Sequence, residues 1–239
     1  MSQIQANGIN IEYETFGHES DRPLLLVMGL GGQLIHWDSE FCTQLAEKGH
    51  YVIRYDNRDA GLSEKMGEFS IPDMAQMMAD FLEGETPEVP YTLNDMAEDG
   101  MALLTGLGIQ QSHICGASLG GMIVQAMAIN FPDRVKSMTS IMSTTGNSNL
   151  PPASPEAQAA LLSPAGENEA EIVQNAIEVN KIIGSPGFEF DLERTTQMAL
   201  EAFERSFYPE GIARQMAAVA AGGDRREKLN QLATPTLVI

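Results

Sequence analysis

Short unbroken apolar runs alternate with amphipathic stretches through the first 146 residues, and the two patterns predict strands and helices in turn. Positions 4–6 and 9–16 alternate apolar and polar around Asn7-Gly8, which predicts an antiparallel hairpin at a sheet edge. After Pro23, Leu24-Leu25-Leu26-Val27-Met28 is apolar throughout, as a parallel strand buried on both faces requires. A helix is expected over 38–48 and a strand over 51–55. Met74, Met77, Met78 and Phe81 recur at helical spacing, a stripe suited to core packing or to an adaptable apolar pocket. Thr92 and Asp95 carry a capping-box signature. The helix they open has Leu93, Met96, Ala97, Leu103, Leu104 and Leu107 on one face and ends at Gly108. Strands are expected again at 112–115 and 135–143, with a helix from 122 to 131 between them that stops at Pro132.

The pattern changes after Gly146. Residues 147–228 open with Pro-, Ser- and Asn-rich sequence and hold no convincing strand. Helical periodicity recurs near 155–163, 169–183, 191–207 and 210–221. In the third of these, Leu192, Thr196, Ala199, Leu200, Phe203 and Phe207 share a face. A further apolar strand begins at 234. The expected organisation is an α/β core of residues 1–146 and 229–239. A helical cap, 147–228, is inserted into it and lies over the C-terminal ends of the strands.

Composition narrows the function. With 43% hydrophobic and 20% charged residues, the 239-residue chain has the make-up of a soluble globular protein. A net charge of −19 argues against nucleic acid and anionic membrane surfaces as partners, since any basic patch would sit among acidic neighbours. The first residues lack a signal-peptide pattern, and no apolar run approaches the length of a membrane span, so a cytoplasmic location is expected. Cys42 and Cys115 do not make a disulfide framework. No metal-ligand cluster or cofactor fingerprint is present, and none is expected to bind.

Two glycine-rich turns carry the candidate chemistry. Gly116-Ala117-Ser118-Leu119-Gly120 falls between a predicted strand and a predicted helix. In that setting G-x-S-x-G describes a sharp turn that presents the serine hydroxyl at the C-terminal end of the strand, beside a helix N-terminus. A glycine-rich turn with an incidental serine is the competing reading. The strand at 24–28 ends in Gly29-Leu30-Gly31-Gly32. A dinucleotide fingerprint would need glycine where Leu34 stands, and no Lys-Ser/Thr follows for a phosphate loop. A loop whose backbone N–H groups hold an oxyanion fits better, against the plainer alternative of a strand-to-helix turn. The charges of 56–63, Asp56-Asn57-Arg58-Asp59-Ala60-Gly61-Leu62-Ser63, are expected to pair and hold their loop rather than to act on substrate.

The strand–loop–helix alternation, the serine turn and the helical insertion together resemble the α/β-hydrolase superfamily over the whole chain. L-L-L-V-M-G near 24, V-I-R-Y-D-N-R-D-A-G-L-S at 52–63 and H-I-C-G-A-S-L-G-G-M-I near 113 resemble the branch that includes aclacinomycin methyl esterase. The resemblance implies a mostly parallel sheet with helices on both faces. It implies Ser118 as nucleophile, with the backbone N–H groups of Leu30 and Leu119 forming the oxyanion hole. The expected reaction is hydrolysis of a small-molecule carboxylic ester, with a bulky, largely apolar acyl or alcohol part suggested by the Met- and Phe-bearing segments and the helical cap. Amide, lactone or carbon–carbon bond hydrolysis and perhydrolase-type chemistry would use a similar serine on the same fold.

The sequence departs from that family in one respect. The acid of the triad usually follows the strand after the cap and the histidine follows the last strand, whereas this sequence ends within the strand after the cap. Among the four histidines, His18, His50 and His113 are expected at the far end of the sheet, and His36 beside Trp37 suits packing. Ser143-Thr144-Thr145-Gly146, where some relatives place the acid, holds no carboxylate. The expectation is therefore a truncated serine hydrolase, lacking its last strands and helices and inactive as it stands. The alternative is a non-catalytic ligand-binding or scaffold protein of the same fold.

Overall fold

The computed structural model describes residues 1–70, 76, 88–161, 163, 166 and 168–239. The Met74, Met77, Met78 and Phe81 stripe lies outside the described residues. Asn7 and Gly8, both at positive φ, turn β1 (Ser2–Ala6) back along β2 (Ile9–Phe16). This hairpin forms one edge of the sheet, and β2 pairs antiparallel with β4 (His50–Tyr55). From there the sheet is parallel. β4 is followed by β3 (Arg22–Val27), β5 (Ser112–Ala117), β6 (Val135–Ile141) and β7 (Thr236–Val238). The order β1-β2-β4-β3-β5-β6-β7 puts β3 and β5 side by side near the middle.

The unbroken run in β3 follows from its neighbours. Leu25 and Val27 join the larger core with Ile53, Tyr55 and Ile114, while Leu26 faces the opposite way, with Val52, Ala117, Trp37 and Cys42. A strand buried on both faces has no position for a polar residue. Each fully buried side chain of this kind contributes on the order of 1.5–3 kcal/mol.

Helices cover the two faces. On one side lies α1 (Ser39–Glu47), capped by Asp38, whose carboxylate accepts from the Glu40 and Phe41 N–H groups. The larger core is filled by α2 (Leu93–Gly106) and α3 (Leu119–Asn130). The expected capping box opens α2: the Thr92 N–H donates to the Asp95 carboxylate at 2.7 Å, and the Asp95 N–H donates to Thr92 Oγ1 at 3.3 Å.

The chain divides into two compact units, one of 1–148 with 210–239 and one of 149–209. The smaller unit contains α4 (Pro155–Leu161), α5 (Glu169–Ile183) and α6 (Leu192–Arg205), with Asn168 and Asp191 as N-caps of the last two. α5 packs on α6. The next helix, α7 (Pro209–Ala221), was grouped with the cap by sequence pattern, yet from residue 210 it clusters with the sheet unit. A short α8 (Arg226–Leu229) then leads to β7, whose Leu237 and Val238 are exposed. Among the described residues no helix is long and apolar enough to cross a membrane.

Candidate active site

Ser118 follows the last residue of β5 and is the N-cap of α3, with φ 54° and ψ −118°. A non-glycine residue rarely takes positive φ, and holding one there costs on the order of 1–3 kcal/mol. Contacts around the turn impose it. The Ser118 N–H donates to the Ile141 carbonyl at 2.9 Å. The Ser118 carbonyl accepts from the Gly121 N–H at 2.9 Å and from Ser143 Oγ at 2.8 Å. Neighbouring backbones touch here. A Cβ at Gly116 would overlap the Gly120 carbonyl, and one at Gly120 would overlap the Val27 carbonyl. The two glycines of the motif are therefore required by close approach of β5, α3 and β3.

The second glycine turn runs directly beside the serine. A Cβ at Gly29 would lie 3.2 Å from Ser118 Cβ and 3.7 Å from its Oγ. The Gly32 N–H closes the turn on the Gly29 carbonyl at 3.1 Å, with Gly31 at φ +64° and Leu30 exposed at the apex. Among the described residues neither the Leu30 N–H nor the Leu119 N–H has an acceptor. The Leu119 amide belongs to the first turn of α3, where backbone donors are left over and the helix dipole is positive. The half-buried Ser118 thus stands at the C-terminal end of β5, with the 29–32 turn against it and the first turn of α3 following it.

The loop after β4 supports this arrangement, and its charges pair as expected. Asn57 Nδ2 donates to the Met28 carbonyl at 2.9 Å, holding the base of the glycine turn. The Asp56 carboxylate accepts from the Leu34 N–H at 2.6 Å and the Leu62 N–H at 2.8 Å. Arg58 forms a two-pronged ion pair with Asp99 at 2.6 and 2.7 Å. Asp59, itself at φ 65°, receives both Nε and Nη2 of Arg214 at 2.9 Å, the Tyr91 hydroxyl at 2.7 Å and the Met66 N–H at 2.8 Å. Burial alone would raise the Asp59 pKa. The hydrogen bonds from Arg214, Met66 and Tyr91 outweigh it and hold the carboxyl below the usual carboxylate range.

Sequence reasoning missed Arg214 and Gln215, both buried in α7, and Gln125 and Arg225 behind the serine turn. Gln125 donates to Ser140 Oγ and accepts from Arg225 Nε, and Arg225 Nη2 reaches the Thr144 carbonyl at 2.9 Å. The available signal was a pair of long polar side chains inside an alanine-rich helical stretch, Ala213-Arg214-Gln215-Met216-Ala217-Ala218.

None of the four histidines is hydrogen-bonded to Ser118. His113 lies five residues before it in the same strand, about 16 Å away at about 3.3 Å per residue. It meets His50 edge to face at 6.3 Å and Ser137 Oγ at 2.7 Å. His18 is exposed, and the exposed His36 turns its Nδ1 to the Gln33 backbone. Both cysteines are free thiols that burial pushes up to about 11, which suppresses the thiolate. Among the described residues no group of three or more His, Cys, Asp or Glu side chains could hold a metal ion.

Comparison with known proteins agrees with this geometry. A family profile described as the alpha/beta hydrolase fold matches residues 22–239. Rhodomycin D methylesterase DnrP of Streptomyces peucetius is 26% identical over 99% of this chain and 80% of its own length. A hydrolase from Pseudomonas aeruginosa PA01 superposes with TM-score 0.66 at 25% identity, over 99% of this chain and 78% of its own. The meta-cleavage product hydrolase of Pseudomonas fluorescens IP01 shares the fold, with TM-score 0.70 and 18% identity over 100% and 78% of the two chains.

Proposed function

The chain belongs to the alpha/beta hydrolase fold family, and from that premise we propose that it is a serine hydrolase that cleaves a carboxylic ester through an acyl-enzyme on Ser118. The observation that carries the proposal is the positive-φ serine turn lying against a second turn with an unused amide. In this reading Ser118 Oγ attacks the ester carbonyl carbon, and the developing oxyanion accepts from the Leu30 and Leu119 N–H groups. The alcohol then leaves, and water releases the acid from the acyl-enzyme. A histidine oriented by a carboxylate takes the Ser118 proton and returns it to the leaving group. The described residues bring neither group to Ser118, so the proposal assigns both to chain beyond residue 239.

A methyl ester of a bulky, largely apolar acid is the proposed substrate class, supported by the likeness to a rhodomycin D methylesterase. The two free thiols suit the cytoplasmic setting of the same reading. The helices of residues 149–209, the smaller unit, are assigned as the cap of the family.

Fluorophosphonate labelling with intact-mass analysis tests the proposal on this chain and on one extended to the natural stop codon. The expected result is a single adduct on the extended chain, lost in Ser118→Ala, and little or none on the 239-residue chain. Folded extended protein that takes no label would displace the proposal in favour of a non-catalytic ligand-binding role.

A further inference from the structure

We propose that Gln215 is a positioning residue: it fixes the 29–32 turn so that the Leu30 N–H faces the oxyanion formed at Ser118. This inference rests on the serine-hydrolase reading above. The Gln215 side chain is fully buried. Its Oε1 accepts from the Gly31 N–H at 2.9 Å, and its Nε2 donates to the Arg58 carbonyl at 2.8 Å. The two partners fix the amide orientation, because a backbone N–H needs the oxygen and a carbonyl needs the nitrogen.

The turn needs such a pin. With glycine at 29, 31 and 32, its peptides can rotate through more conformations than a turn bearing side chains, and few of these direct the Leu30 amide at the developing oxyanion. Gln215 holds the peptide between Leu30 and Gly31, and the Gly32 N–H holds the Gly29 carbonyl of the preceding peptide, which carries the Leu30 N–H. With both peptides fixed the donor is set before substrate arrives, which is how an oxyanion hole avoids reorganising during the reaction. The same helix also closes the turn sterically: a Cβ on Gly31 would come within 2.9 Å of Ile212 Cγ1. Arg214, next to Gln215, anchors α7 to Asp59. The pin is therefore mounted on a rigid support, although it lies 184 residues from its target.

The test compares Gln215→Met and Gln215→Glu with wild type in the chain extended to its natural stop. Methionine keeps the volume and removes both hydrogen bonds, whereas glutamate keeps an oxygen for Gly31. Ester kinetics, and amide hydrogen exchange over 28–34, are measured together at a temperature where all three are folded. Gln215→Met is expected to lower kcat by about 10- to 100-fold, the effect of a small misplacement in an active site. Its KM should stay within about 2-fold and its 28–34 exchange should rise, while Gln215→Glu, which keeps the acceptor for Gly31 but loses the donor to the Arg58 carbonyl, recovers part of kcat. Wild-type kcat in folded Gln215→Met, or unchanged exchange at 28–34, overturns the inference. If ester turnover survives Ser118→Ala, the serine-hydrolase reading fails instead, and the exchange result alone decides whether Gln215 holds the turn.

Discussion

Two turns meet at Ser118, and they are held in different ways. The serine turn is fixed by backbone against backbone: Gly116 on Gly120, Gly120 on Val27, and the Ser118 N–H on Ile141. The 29–32 turn is fixed by side chains brought from elsewhere, Asn57 on the Met28 carbonyl and Gln215 on the Gly31 amide. The first device is steric and tolerates no added atom. The second is made of hydrogen bonds, each worth about 0.5–1.5 kcal/mol net, so it can be weakened in steps. A molecule built this way should lose its fold when the serine turn is altered, and lose activity before stability when the glycine turn is loosened.

The sharpest test of that contrast is Gly120→Ala. One methyl group would overlap the Val27 carbonyl, a backbone atom that cannot move without shifting the central strand. A loss of more than about 4 kcal/mol is expected, in the range reserved for forced overpacking or strain. Urea denaturation checks it, and a variant with a near-wild-type midpoint would show that the turn is looser than its contacts indicate.

Next in size is Asp59→Asn, which removes the carboxylate that pairs with the fully buried Arg214 guanidinium. Breaking such a pair from one side costs about 3–5 kcal/mol. Because Arg214 anchors α7, the variant should also speed exchange at 28–34, linking a stability defect to the glycine turn. Asn57→Ala is smaller, about 1–2 kcal/mol for one buried carbonyl left without its donor. Its effect on fluorophosphonate labelling should exceed its effect on the urea midpoint. The reverse ranking would mean that Asn57 supports the core rather than the turn.

The contrast also explains what could be read from the sequence. The serine turn was legible because its cause is local: G-x-S-x-G, a strand before and a helix after lie within 19 residues, from 112 to 130. The apolar runs mark the strands for the same reason, since β3 is buried on both faces and shows it in four consecutive residues, Leu24 to Val27. The charges of the loop at 56–63 pair to hold it, as the sequence suggests, but nothing local identifies their partners Asp99 and Arg214, which lie outside the loop. Nothing local marks Gln215 as the partner of Gly31, because the contact is made by the order of packing and not by periodicity. The division at 147 and 228 followed composition, whereas the helix from 210 packs by its buried Arg214, Gln215, Ala217 and Ala218.

The smallest predicted effect separates the two ends of the sheet. His50 and His113 lie at the N-terminal end of the strands, and burial lowers both pKa values. The Arg22 charge adds to this at both, with Lys136 and His50 also acting on His113, while a backbone hydrogen bond at Arg22 and the Asp21 charge offset it in part at His50. Their folded values thus lie below the unfolded value of about 6.5. The unfolded chain therefore binds more protons between the two values. Their contribution to stability is complete above about pH 6.5 and is lost as pH falls through the lowered values. Both rings are half-buried, so the loss is modest. Asp59 acts in a separate and lower window, since its depressed pKa gives stability that is complete above the unfolded carboxylate value of about 3.9 and is lost as pH falls from there through the depressed one. Urea midpoints at pH 7.5 and 5.5 should fall less in a His50→Gln, His113→Gln double variant than in wild type. The same variant should leave the labelling rate of Ser118 in the extended chain unchanged at pH 7.5. A slower rate would mean that the far end of the sheet communicates with the serine, which the rigid strand between them gives no reason to expect.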